Sequence, residues 1–168
     1  KVEWKNLPEH GVQLDDEKLG FRILKLKHAL PAGASMALDF MVTVERRGFT
    51  NGGAPGKLNW NGSFFNNRDY FPQFGYASDY ELRDRNERRK RGLGEPERMA
   101  KLEDEAARAY HALGSEADWI NFETTISTSA DQIAVAPGYL QKTWEENGRR
   151  YFHYKMDRPM MPFFAYLS

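Results

Sequence analysis

The residues of this chain best suited to hold a metal are four histidines, His10, His28, His111 and His153, and there is no cysteine to join them. Zinc hydrolysis needs two His one helical turn apart with a Glu between them as base. No H-E-x-x-H occurs, so the scattered histidines read as surface or half-buried structural residues, not ligands. Without Cys there is no thiol nucleophile, no disulfide framework and no thiolate metal site. No G-x-S-x-G elbow appears, and Gly92-Leu93-Gly94 runs into Glu95-Pro96 where a dinucleotide loop needs a third glycine. The 24 carboxylates include no pair that spacing singles out. By itself the chain shows no catalytic, cofactor-binding or metal residue.

Binding chemistry is densest in residues 61–80, NGSFFNNRDYFPQFGYASDY. Phe64, Phe65, Tyr70, Phe71, Phe74, Tyr76 and Tyr80 interleave there with Asn66, Asn67, Arg68 and Asp69. Rings at this density are expected to pack on a sheet and leave the polar atoms at a rim, where binding residues tend to sit. Asn66, Asn67 and Arg68 are the candidates for a substrate rim, set against the commoner role of turn amides, which satisfy local backbone groups. Asn61-Gly62-Ser63 fits a glycosylation sequon, a tripeptide frequent by chance. Arg83, Arg85, Arg88, Arg89, Lys90 and Arg91 cluster against Asp84 and Glu87. Such a run is usually a solvated face. Acids within it, and no aromatic platform beside it, weaken a nucleic-acid reading.

These residues need elements to position them. Lys1 to Glu17 reads as a polar lead-in loop or short edge strand, and Phe21 to Lys27 as a strand. Leu30-Pro31-Ala32-Gly33 is a turn signal. Met36, Leu38, Phe40, Val42 and Val44 alternate with Ala37, Asp39, Met41, Thr43 and Glu45, the cleanest period-two pattern in the chain and a strand with one face on a core. The glycine-rich 48–56 is a connection, Leu58 to Phe65 returns to strand character, and 83–96 is expected as a basic, flexible segment. From Glu97 to Leu113 the period turns helical: Met99, Leu102, Ala106, Tyr110 and Leu113 fall on one stripe. Pro96 suits the first turn and Gly114 the exit.

Ile120, Phe122 and Ile126 then alternate as a strand, and a short strand at 132–136 ends on Pro137-Gly138. Tyr139–Trp144 and Arg149–Met156 flank Asn147-Gly148, the strongest short hairpin signal in the chain, with Phe152, Tyr154 and Met156 sharing a face. Met160 to Leu167 is a last apolar strand. The expected architecture is mainly β, an antiparallel, saddle-like β-sandwich with one amphipathic helix inserted at about 97–113.

At 168 residues the chain is expected to form a single domain, 1–168, with a sizeable core. Lys plus Arg and Asp plus Glu are 24 each, which gives no electrostatic footprint for nucleic acid or an anionic membrane. No apolar run approaches a transmembrane span. The chain opens on Lys1 with no initiator Met or signal-like segment, and is expected to be a piece of a larger protein.

Three stretches carry a family resemblance. The first is the C-terminal segment ISTSADQIAVAPGYLQKTWEENGRRYFHYKMDRPMMPFFAYLS, which resembles the end of the N-terminal β domain of aminopeptidase-N type (gluzincin) zinc metallopeptidases. Ala136-Pro137-Gly138 stands where that family has an Asn-Gly or similar turn, and Met161, Tyr166 and Leu167 resemble its closing Met…Tyr-Leu. In the second, Arg68 with Phe71-Pro72 is similar to the family's Ala-Arg…Phe-Pro-Cys block, with Gln73 replacing the Cys and Gly75-Tyr76 the acidic residues that follow. The third is the order LPAG, LDFMVTVERRGF, NGSFF, FPQFGY, ELRDRNERRKRGLG. It is similar to a bacterial branch in which a multi-span ABC-type transporter permease is fused to an aminopeptidase-like region.

The resemblance implies a non-catalytic β domain that walls one side of a substrate cleft. Zinc, its Glu base and its third ligand would lie in the next domain, and no cofactor in this chain. It implies a neighbouring metallopeptidase-like domain and a peptide substrate as partners, no nucleic acid, and a place on the extracytoplasmic face of a bacterial membrane, anchored through the parent protein. The family holds the substrate's α-amino group with a Gln or Glu upstream of the Arg block. The corresponding positions here are Asn61 and Ser63, which carry no charge, while Asn66 and Asn67 are neutral acceptors nearby. The alternative is a stand-alone β-sandwich module binding glycan or peptide through its aromatic residues, 14% of the chain.

Overall fold

The computed structural model describes residues 1–6, 10–16, 18, 20–45, 58–59, 62–75, 81–96, 99–109 and 119–168. Strand makes up 40% of it and helix 9%, so the protein is mainly β, with small antiparallel sheets and, among the described residues, no closed barrel. The strands in chain order are β1 (Val2–Trp4), β2 (His10–Asp16), β3 (Phe21–Leu26), β4 (Phe40–Val42), β5 (Leu58–Asn59) and β6 (Gly62–Asn66). Two short helices, α1 (Asn67–Tyr70) and α2 (Arg85–Lys90), precede β7 (Glu123–Ser129), β8 (Tyr139–Glu146), β9 (Arg149–Lys155) and β10 (Ala165–Leu167). No helix among the described residues is long and apolar enough to cross a membrane. The chain divides into two compact units, 1–54 with 70–72, and 55–69 with 73–168.

In the first unit β1 pairs antiparallel with β4, placing Trp4 opposite Phe40. The rings of Trp4 and Phe40 lie 5.6 Å apart, and Phe71 meets Phe40 edge-on at 5.9 Å. The lead-in expected over 1–17 is instead two strands, because β2 finds a partner in β3 from His10↔Leu26 to Asp16↔Phe21. The alternation from Met36 to Val44 survives as half-buried Leu38, Phe40 and Val42, but ladder pairing is confined to Phe40–Val42. Its partner β1 has three residues, so the pattern outruns the strand available to pair with it. The turn at Pro31–Ala34 forms as expected, with the Ala34 N–H on Pro31 O at 3.0 Å and Gly33 at φ 79°.

The second unit holds two three-stranded antiparallel sheets, ordered β10-β6-β5 and β7-β9-β8. Where one strand was expected over Leu58–Phe65, β5 and β6 pair antiparallel with each other. In β9 the even residues Phe152 and Tyr154 are buried, at 3% and 8% exposed, and with Phe122, Ala134 and Ala136 they form the core. Ile120, Ile126, Met156, Met160, Phe164 and Tyr166 pack around it. The Tyr154 hydroxyl donates to Ala134 O at 3.0 Å inside this core, so its one polar atom is satisfied. The bridge Ile120↔Met160 ties two connecting segments together, and Val135↔Leu167 ties the β7–β8 connection to β10. They replace the fuller strands expected at 132–136 and 160–167, of which β10 retains Ala165–Leu167. The β8–β9 hairpin turns on Asn147 (φ 51°) and Gly148 (φ 72°), both left-handed as a two-residue type I′ loop demands.

The helix expected at about 97–113 is not formed over its described part. Residues 99–109 make turns and one 3-10 turn, Ala107–Ala109, and 97, 98 and 110–113 lie outside the described residues. Met99 and Leu102, head of the presumed stripe, are 96% and 84% exposed. An amphipathic helix of this length draws its stability from the surface it covers, and these side chains cover none. Asp104 supplies the competing local structure: its Oδ1 accepts from the Ala107 N–H at 3.1 Å, a side-chain cap on the 3-10 turn.

Candidate functional site

The rim candidates sit where β6 runs into α1, beside β10. β6 and β10 pair antiparallel with Phe64 opposite Leu167, Phe65 opposite Tyr166 and Asn66 opposite Ala165. The Phe65 and Tyr166 rings lie 5.9 Å apart, anchoring the ladder. Burial pushes the Tyr166 phenol above its ordinary pKa, offset by the Thr124 hydroxyl 3.4 Å away.

Asn66 ends the strand and caps the helix. Its Oδ1 accepts from the Asp69 N–H at 2.8 Å and its Nδ2 donates to Asp69 Oδ2 at 2.9 Å. Asn67 acts as an extra rung of backbone. Its Nδ2 donates to Pro162 O at 2.9 Å, its Oδ1 accepts from the Phe164 N–H at 3.0 Å, and its own N–H reaches Phe164 O at 3.0 Å. Both amides thus hold the corner together, the local role that turn amides commonly play. Arg68, between them and Asp69, is exposed, with its guanidinium 5.4 Å from the centre of the Phe163 ring. The Gln73 side chain donates to Arg68 O at 3.1 Å, closing the turn behind it. The corner therefore presents a cation laid on a half-exposed ring, flanked by the Asp69 carboxylate. Of the stretch's other rings, Phe71 packs on Phe40, Phe64 and Phe74 are 41% and 49% exposed, and Tyr76 and Tyr80 lie outside the described residues.

The basic run at 83–96 is largely spent on its own neighbourhood. Asp84 caps α2 by accepting from the Glu87 N–H at 2.8 Å. Glu87 takes Lys90 at 2.8 Å and also Arg91, which lower its pKa, the Lys90 hydrogen bond first. Arg88 donates to Gly94 O at 2.6 Å and Leu82 O at 2.9 Å, binding both ends of the segment, and Arg85 pairs with Glu95 at 3.3 Å. This is the solvated, self-paired face expected of such a run.

The outer face of β7-β9-β8 carries a polar row that the linear sequence does not reveal. Glu123 lies opposite Lys155 and diagonal to His153. Its Oε2 is 3.0 Å from Lys155 Nζ and its Oε1 2.8 Å from His153 Nε2. The Lys155 hydrogen bond, then that of His153, holds the Glu123 carboxyl below its usual pKa. Further along, Trp144 and Tyr151 stack at 5.0 Å with Lys142 Nζ 5.2 Å from the indole, and Arg149 donates to Ser127 Oγ and O at 2.9 and 2.7 Å. The charges and rings of this face satisfy one another.

Among the described residues no three of His, Cys, Asp and Glu come together as a metal-holding group. Among the described residues the zinc implied by the resemblance finds no donor set: the His153–Glu123 pair already shares its carboxylate with Lys155. His28, the other described histidine side chain, is exposed. No family model, curated protein or solved structure matches this chain.

Proposed function

We propose that this chain is a non-catalytic N-terminal β domain of an aminopeptidase-like zinc metalloprotein, walling one side of a cleft whose zinc site belongs to the neighbouring domain. The observation that carries the reading is the juxtaposition of its two most diagnostic stretches. Arg68 of the first and the closing Met161…Tyr166-Leu167 segment, far apart in sequence, are brought side by side by the β6–β10 ladder and the Asn67 hydrogen bonds. Arg68 is thereby held on Phe163, a residue of the closing segment. In this reading Arg68 offers a cation to the backbone carbonyls or terminal carboxylate of a peptide, and Asn66 and Asn67 keep it in place. The domain acts outside the cytoplasm of a bacterial cell, carried by a parent protein with an ABC-type permease.

The test is the reading frame that carries this chain. It is expected to encode an H-E-x-x-H helix downstream of Ser168 and a set of hydrophobic spans in the same polypeptide; a complete frame lacking that helix overturns the proposal. The isolated chain is expected to turn over no aminoacyl reporter with zinc added, and robust turnover would equally overturn it. A second reading, a glycan- or peptide-binding module, draws on exposed Trp119 and Tyr139, 72% and 64% exposed. Submillimolar binding on a glycan array, abolished by replacing either ring with Ala, would favour it over the first.

A further inference from the structure

We draw no further inference here: the strongest candidate, the β2–β3 hairpin with Val12, Leu14, Phe21 and Ile23 exposed along it, is an apolar surface for which nothing in the structure shows what covers it.

Discussion

Replacing Gly138 with Ala should destabilise the β7-β9-β8 sheet far more than one methyl group ordinarily does. Gly138 follows Pro137 at the entrance to β8 with φ 100°, and a Cβ there would lie 2.6 Å from both C and O of Lys155 and 2.9 Å from the Met156 nitrogen. These are backbone atoms of the partner strand, so no side chain can swing aside. The left-handed conformation costs an L-residue about 1–2 kcal/mol, and forcing a methyl into packed surroundings about 1–3 kcal/mol more. Together that is about 3 kcal/mol, or roughly 6–12 °C in Tm at ~2–4 °C per kcal/mol for a domain of this size. Gly148→Ala is the internal control. Gly148 also has positive φ, 72°, but an added Cβ meets nothing within 4 Å, so it carries the conformational cost alone, about 1–2 kcal/mol. Both changes stiffen the unfolded chain alike, leaving the clash as the difference between them. Near-UV circular dichroism during thermal melting reads the event locally, because the stacked Trp144–Tyr151 pair spans β8 and β9. Equal losses in the two variants would refute the close approach of Gly138 to β9.

Tyr154→Phe removes the donor to Ala134 O within the core and is expected to cost about 1–3 kcal/mol, measured by urea denaturation at unchanged m-value. Asn67→Ala deletes both side-chain hydrogen bonds to 162–164. About 2 kcal/mol should be lost, and amide hydrogen exchange at Phe164 should accelerate; unchanged exchange would show that Asn67 does not hold that segment. Asn66→Ala removes the α1 cap, about 1 kcal/mol, together with the exposed hydrogen bond to Asp69 Oδ2, and should leave Phe164 exchange alone. The Lys155 hydrogen bond, then that of His153, holds the folded Glu123 carboxyl below the usual carboxylate range. A depressed carboxylate stabilises the fold above its unfolded pKa and loses that contribution as pH falls through the folded pKa. The stability difference between the wild type and Glu123→Gln should therefore be present at neutral pH and shrink on acidification below the usual carboxylate range. A difference independent of pH from 7 to 3 would show that the ion pairs contribute nothing.

The β8–β9 hairpin is legible in the sequence because its causes are local. Asn147-Gly148 supplies the two left-handed residues, and the alternation of Phe152, Tyr154 and Met156 states which face goes inward, as their burial shows. The Pro31–Gly33 turn is legible for the same reason. The 97–113 stripe was misleading because periodicity says what a helix would bury, not whether a surface waits to receive it. Met99 and Leu102 find none, and Asp104 caps a competing turn. The β1–β4 pairing shows the same limit: a long alternation forms only as much ladder as its partner can match.

At the candidate site the division is sharper. Residue types alone single out Asn66, Asn67 and Arg68 as a polar interruption in an aromatic run, but they do not separate holding from presenting. That depended on the segment from 162 to 167 returning alongside β6, which gives the amides backbone partners and Arg68 a ring to lie on. The Glu123–His153–Lys155 row is likewise a product of register, since 30 residues separate Glu123 from His153 and a shift of one position would turn each strand's side chains to the opposite face. What the sequence by itself determined is the mainly β character, the turns and the inward face of β9, all set by the conformational preferences of neighbouring residues. Only the tertiary structure decided which polar groups are spent on the fold and which reach solvent, because that depends on partners brought from elsewhere in the chain.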